Sequence, residues 1–220
     1  VLYDRLVSAE VLELVRPGAE LHAVGKEEGR QEEIQRHILE LLGDCADRHE
    51  VVVRLKGGDP MVFGRGAEEW LHFAERGYGV EVVPGISSAV AVPELAGIPL
   101  TFRGIAGGFA VATGNRMTGC CQEWEAYARV DTLVVLMGVA RRAEIAACLM
   151  RHGRGGETPV AFIENGTTPE ERVVVTTLED AGAAAVGSPA VMVIGEVVRL
   201  RERLSDAAGR DPLVDFASLV

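Results

Sequence analysis

Val51-Val52-Val53-Arg54-Leu55-Lys56-Gly57-Gly58-Asp59-Pro60-Met61-Val62-Phe63-Gly64-Arg65-Gly66 is the stretch around which the chain is organised. It opens as a β-branched run, the pattern of a buried strand. The run stops at Gly57-Gly58, where absent side chains permit positive φ or close approach of backbone to a ligand. Asp59 adds a carboxylate, and Pro60 prevents the strand from continuing. After Gly64 and Gly66 a helix can begin, with Glu68 and Glu69 in the first turn, where the helix dipole favours acids. Strand, glycine-rich loop and helix together form a crevice-building unit, and open α/β sheets bind ligands outside the carboxyl ends of their strands. Neither GxGxxG nor GxxxxGK[ST] is present, so this is not a dinucleotide or P-loop phosphate motif.

Outward from this stretch, strands and helices alternate. Val1–Tyr3 reads as a strand, followed by a helix from about Ala9 to Val15 behind Ser8. Leu21–Val24 is a second strand, and Gln31–Leu42 a helix with Ile34, Ile38, Leu41 and Leu42 on one face. A helix over 67–76 follows the glycine loop, then a strand at Val80–Val83 closed by Pro84-Gly85, then a helix from Ser87-Ser88 to about Gly97. Alternation of this kind predicts a mostly parallel sheet covered by helices. Residues 98–104 break the pattern and predict a boundary, giving α/β domains over 1–102 and 103–220. In the second, strands are predicted at 109–112, 132–137, 160–163, 172–176 and 190–194, and helices at 140–150 and 179–186. Two strands there follow each other without a helix between them, so its sheet is expected to be mixed. The segment from Leu204 on shows no periodicity. Val1–Asp4 reads as the tail of a strand already under way, so a preceding segment is expected.

Of the 220 residues, 48% are apolar and 25% charged, as in ordinary globular proteins. The net charge is −11, divided −7 and −4 between residues 1–104 and 105–220, with no basic stripe. Nucleic acid is therefore not an expected partner. An anionic ligand would need a local cluster of Arg and Lys. No apolar run has the length of a membrane span, so neither a membrane nor a secretory route is expected. The four cysteines, Cys45, Cys120, Cys121 and Cys148, show no metal spacing and are expected to be reduced thiols of a cytoplasmic protein. Asp4 and Lys26 end neighbouring strands and so fall on the carboxyl edge of one sheet, where functional side chains collect.

RLKGGDPMVFGRG at 54–66 resembles the signature of the tetrapyrrole (corrin/porphyrin) methylases, and most of all their uroporphyrinogen-III C-methyltransferase branch. The resemblance continues in order through VLYDRLVS (1–8), VGK (24–26), QEEI (31–34), VVPGISSA (82–89), AGIPLTFRG (96–104), ATGN (112–115), TLVVLMG (132–138), PVAFIENGT (159–167) and SPAVMVIGEVV (188–198). It implies the two-domain fold of that family, a homodimer, and an active site in the cleft between the domains. It implies S-adenosyl-L-methionine as methyl donor, with S-adenosyl-L-homocysteine as product, touching Gly57, Gly58, Asp59, Val62, Ser87, Ser88, Met137, Gly166, Pro189 and Ala190. The implied acceptor is uroporphyrinogen III, methylated on two ring carbons in succession to give precorrin-2. Its eight carboxylates would meet Arg5 and Arg103, and catalysis would fall to Asp4, Lys26, Arg65 and Glu68. A later corrin-pathway methyltransferase, or a non-catalytic S-adenosylmethionine-binding sensor or scaffold subunit, are the alternatives. The family's GxGPGD loop and its HSVP stretch are absent, Ala67 stands where a glycine is usual, and Phe102 replaces a histidine.

Overall fold

In a computed structural model the chain is described over residues 1–25, 31–115 and 121–208. It divides into two compact units, Val1–Ser87 and the remainder from Ser88 on. The division falls before the expected 102/103 boundary. Its physical reason is the helix that begins at Ser88, whose Ala89 and Val92 join a core with Val134, Ala161, Ile163 and Val193 of the second unit.

The first unit carries three very short parallel strands in the order β2-β1-β3. These are β1 (Leu2–Tyr3), β2 (His22–Ala23) and β3 (Arg54–Leu55). Leu2 pairs with His22 on one side and Arg54 on the other. Between the strands lie α1 (Ala9–Glu13) and α2 (Gln31–Ala46), and α3 (Gly66–Ala74) follows β3. The core is small: Leu2, Val24, Ile38, Leu42 and Cys45.

Two expectations are corrected here. The β-branched run 51–53 is not a buried strand. Val51 and Val53 are exposed, only Val52 packs against the core, and the ladder begins at Arg54. Residues 80–83 form no strand either. Val83 and Ile86 stay exposed, and the segment is fastened through the Gly85 N–H to Asp59 rather than through a ladder.

The second unit is built on a five-stranded sheet in the order β4-β5-β8-β6-β7. Its strands are β4 (Phe109–Thr113), β5 (Thr132–Leu136), β6 (Pro159–Glu164), β7 (Arg172–Thr177) and β8 (Ala190–Ile194). β4 and β5 are parallel and the other pairings antiparallel, so the sheet is mixed as expected. β6 is buried along its whole length, because both sheet faces are covered. Beneath one face lie α5 (Glu125–Ala128) and α6 (Arg142–Arg151), with Trp124, Ile145 and Leu149 packed on Leu133, Phe162 and Met192. On the other lies α4 (Ser88–Leu95). The predicted helix over 179–186 is reduced to a 3-10 turn, Ala181–Ala183, in an alanine- and glycine-rich segment with few side chains to bury. Conversely, α7 (Leu200–Ala208) extends into the tail that showed no periodicity, anchored by buried Leu200.

Cys121 and Cys148 are disulfide-bonded, joining the turn before α5 to α6. This corrects the expectation of four reduced thiols; Cys120 lies outside the described residues. Buried Arg154 donates to the carbonyls of Tyr127, Val130, Asp131 and Ile194, pinning the start of β5 to the end of β8.

Candidate active site

In the first unit the glycine-rich loop is wound tightly. Gly66 N–H donates to the Pro60 carbonyl at 2.9 Å. A Cβ on Gly66 would stand 2.5 Å from the same oxygen, and one on Gly64 2.7 Å from it, so both positions require glycine. Phe63, before the first of these glycines, and Arg65, between the two, adopt left-handed backbone, with φ of 54° and 57°. Non-glycine residues rarely hold this conformation, and such strain collects at functional sites. Gly58 has φ of 93°, and a side chain on Gly85 would strike its carbonyl.

Asp59 ties the first half of the loop. One carboxylate oxygen accepts the Met61 N–H at 2.8 Å and the other the Gly85 N–H at 3.2 Å. Gly57 and Gly58 are exposed beside it, and Met61, Val62 and Phe63 present apolar surface to solvent.

Arg54 in β3 and Lys56 just past its end sit two residues apart, the spacing that puts side chains of an extended chain on one side. Both converge on Glu69 of α3, whose carboxylate is buried. The Lys56 ammonium lies 2.9 Å from one Glu69 oxygen and donates at 2.6 Å to the Gly64 carbonyl. Burial lowers its pKa below the ordinary lysine value, an effect opposed by Glu69. Arg54 is 3.4 Å from Glu69 and ion-paired to Asp4 at the end of β1. Gln35 of α2 donates to Glu69 at 3.1 Å. Asp4, expected to be catalytic, is thus part of an ionic network that runs under the loop.

Arg65 and Glu68 are brought together. The Arg65 guanidinium donates to both Glu68 oxygens, at 3.0 Å from Nε and 2.6 Å from Nη2, and to Glu32 of α2 at 3.3 Å. Glu68 first, then Glu32, raises the Arg65 pKa. Arg65 is mostly covered, with 19% of its side chain exposed, whereas Glu68 and Glu32 are at 54% and 85%. Arg5 is exposed in the turn after β1. Lys26 lies outside the described residues.

In the second unit the candidate residues gather at two strand ends. Met137, just past β5, is exposed and left-handed with φ of 55°. Asn165 and Thr167, just past β6, share that conformation at 47° and 72°. Gly166 between them packs against α4: a Cβ there would lie 2.5 Å from Val92 Cγ1. Pro189 follows a cis peptide and accepts the Asn165 N–H at 3.0 Å, while Ala190 pairs with Glu164. Ser88 opens α4, next to Ser87. Arg103 is exposed in the turn between Phe102 and Ala106, away from these strand ends in sequence.

Sequence reasoning missed Arg54, Lys56, Glu69 and Glu164. The signal was present in the first two. Cations at alternate positions of a strand that enters a core need a buried anion, because an unpaired buried charge costs far more than a paired one. Glu164 ends β6 buried, paired with Arg172 and accepting the Gly187 N–H; Arg172 first, then that N–H, lowers its pKa.

Comparison with known proteins agrees with this architecture. A uroporphyrin-III C-methyl transferase from Thermus thermophilus, solved with S-adenosyl homocysteine, superimposes with a TM-score of 0.78 and 48% identity, covering 90% of this chain and 86% of that one. Uroporphyrinogen-III C-methyltransferase of Synechocystis is 42% identical over 221 residues, 95% of this chain and 84% of the relative. Siroheme synthase 2 of Aeromonas hydrophila is 47% identical over 209 residues, 93% of this chain but 44% of that protein. The chain thus spans less than half the length of the siroheme synthases it matches. With residues 1–182 also matching the family's sequence profile, the chain belongs to the tetrapyrrole (corrin/porphyrin) methylases.

Proposed function

We propose that the protein is an S-adenosyl-L-methionine-dependent C-methyltransferase that converts uroporphyrinogen III to precorrin-2 by two successive ring-carbon methylations. The observation that carries this reading is the 42% identity to the Synechocystis uroporphyrinogen-III C-methyltransferase across 84% of that protein. The Thermus structure solved with S-adenosyl homocysteine supports the cofactor. The residues of this chain suit such a ligand. Exposed Gly57 and Gly58 offer bare backbone amides and carbonyls, and exposed Met61, Val62 and Met137 offer apolar surface. In this reading Ser87, Ser88, Gly166, Pro189 and Ala190 complete the cofactor site, with Asp59 shaping the loop that holds it.

Bound S-adenosylmethionine supplies an electrophilic methyl group, and the chain's contribution is to hold and orient the acceptor beside it. Arg65 grips a carboxylate of the macrocycle as Glu68 moves aside, since a guanidinium fork matches a carboxylate bidentately. Arg5, Lys26 and Arg103 take further carboxylates, which a protein of net charge −11 can attract only through such local cations. Asp4, fixed by Arg54, accepts the proton that the macrocycle releases after its ring carbon, already fully substituted, has taken the methyl group. The reading extends to a cytoplasmic homodimer. Among the described residues no helix is long and apolar enough to cross a membrane, and Trp70 and Leu71 lie exposed on α3.

The test is incubation of the chain with uroporphyrinogen III and S-adenosylmethionine, followed by mass spectrometry of the tetrapyrrole. Gain of two methyl groups is expected. Binding of S-adenosylhomocysteine without turnover would replace this reading with that of a sensor subunit.

A further inference from the structure

The glycine-rich loop is fastened at two separate points. Asp59 holds its first half, through Met61 N and Gly85 N. Lys56 holds its second half, through the Gly64 carbonyl at 2.6 Å. The second fastening stands immediately before Arg65, whose backbone is left-handed at φ 57° and whose side chain turns toward Glu68 and Glu32. A strained residue keeps its conformation only while its surroundings dictate it. Here Gly64 is anchored by Lys56 on one side, and Gly66 by the Pro60 carbonyl on the other. The anchor itself is rigid. Lys56 is 7% exposed, Glu69 8%, and Glu69 is held in turn by Arg54 and Gln35.

We propose that Lys56 is a positioning residue for methyl transfer: its bond to the Gly64 carbonyl sets the backbone from which Arg65 meets the acceptor, independently of the half of the loop that Asp59 holds for the methyl donor. This rests on the methyltransferase reading above. Lys56 touches neither donor nor acceptor. It acts by holding Arg65 where the guanidinium faces the substrate rather than swinging with a relaxed loop. The arrangement also explains why a lysine is buried there at all. A structural ion pair needs only Glu69, whereas this ammonium divides its donors between Glu69 and a loop carbonyl.

Lys56→Met removes the loop bond while leaving Glu69 partnered by Arg54 and Gln35. Turnover of uroporphyrinogen III should fall at least tenfold, with S-adenosylhomocysteine affinity within threefold of wild type. Lys56→Arg, which keeps charge and donors, should recover part of the loss. Amide hydrogen exchange supplies a readout that needs no substrate. Exchange at Gly66, whose N–H is held by the Pro60 carbonyl, should accelerate in Lys56→Met while Met61 and Gly85 stay protected. Unchanged exchange at Gly66, or turnover within threefold of wild type, overturns the proposal; so does a parallel fall in turnover, cofactor affinity and melting temperature, which would make Lys56 a general structural residue. Should Lys56→Met fail to fold, Lys56→Met/Glu69→Gln removes the charge left behind, and the same turnover loss and exchange pattern are required of it. If the wild-type chain does not methylate uroporphyrinogen III, the functional reading fails while the exchange experiment still decides whether Lys56 holds the second half of the loop.

Discussion

The two units solve the problem of presenting residues at strand ends in different ways. In the first, strands of two residues and, among the described residues, a core cluster of five buried side chains leave little apolar packing to hold the glycine-rich loop. The loop is instead held by charge: Asp4, Arg54, Glu69 and Lys56 beneath it and Asp59 across it. In the second, strands of five and six residues bury apolar side chains on both faces, and the strained residues Met137, Asn165 and Thr167 are carried by a sheet that cannot yield. A polar network is directional, and losing one partner strands another. Apolar packing is not directional, and losing one large buried side chain lowers the stability of the whole unit. Changes that relax the loop of the first unit without stranding a buried charge should therefore alter activity more than stability, and truncations in the core of the second unit the reverse.

The sharpest way to break this contrast is Phe162→Ala at the centre of β6. Phe162 is fully buried in the main core, so the truncation should cost about 3–5 kcal/mol in urea unfolding. Cofactor binding by the surviving folded fraction should be close to normal. A cost under about 1 kcal/mol would mean that the second unit is not packing-dominated.

Arg65→Ala probes the first unit. Turnover should drop about a hundredfold, equivalent to about 2.7 kcal/mol of transition-state stabilisation, with S-adenosylhomocysteine affinity little changed. Arg65→Lys should rescue in part, because a point charge cannot replace the fork. The guanidinium is paired with Glu68 and Glu32 in the structure. If that pairing were its whole role, steady-state kinetics of the variant would match wild type.

Gly57→Ala comes next. Its Cβ would stand 3.5 Å from Leu6 Cβ, ordinary van der Waals distance, so the fold tolerates the methyl group. Any loss then reports on ligand. Calorimetry should find S-adenosylhomocysteine affinity lowered about tenfold, or 1.4 kcal/mol. Undiminished affinity would remove Gly57 from the cofactor site.

The smallest effect concerns acid stability of the second unit. Arg172 and the Gly187 N–H hold Glu164 below its ordinary pKa of 4.5. A carboxylate depressed in the folded state contributes stability fully above its unfolded value and loses it as pH falls through the folded one. Wild type should therefore lose melting temperature more steeply below pH 4.5 than Glu164→Gln does, and the two slopes should coincide near neutrality. Parallel slopes throughout would show that the pair contributes nothing in this window.

Much of the local structure of the candidate site was legible in the chain. RLKGGDPMVFGRG announced a strand, a loop that needs glycine and a helix, because turn chemistry and dipole preference are written in adjacent residues. The mixed sheet of the second unit was legible for the same reason: runs bounded by turn residues at 132–137, 160–163, 172–176 and 190–194, each within a residue or so of the strand that forms. The valines at 51–53 and 80–83 misled, because a β-branched run states a preference and only pairing and burial decide whether it is met. Asp59 is the instructive middle case. Its place in the loop could be read directly, but not its bond to Gly85, 26 residues away.

The sequence by itself determined the alternation of strands and helices as far as α3, the glycine loop after β3, the acidic net charge and the kinship to tetrapyrrole methylases. Only the tertiary structure decided that Arg54 and Lys56 share Glu69, that Arg54 reaches Asp4 across 50 residues, that Cys121 pairs with Cys148, and that α4 belongs to the second unit. The reason is physical. Backbone preferences are set by neighbours in the chain, whereas the partner of a buried charge, thiol or helix face is set by whatever distant segment folding brings against it.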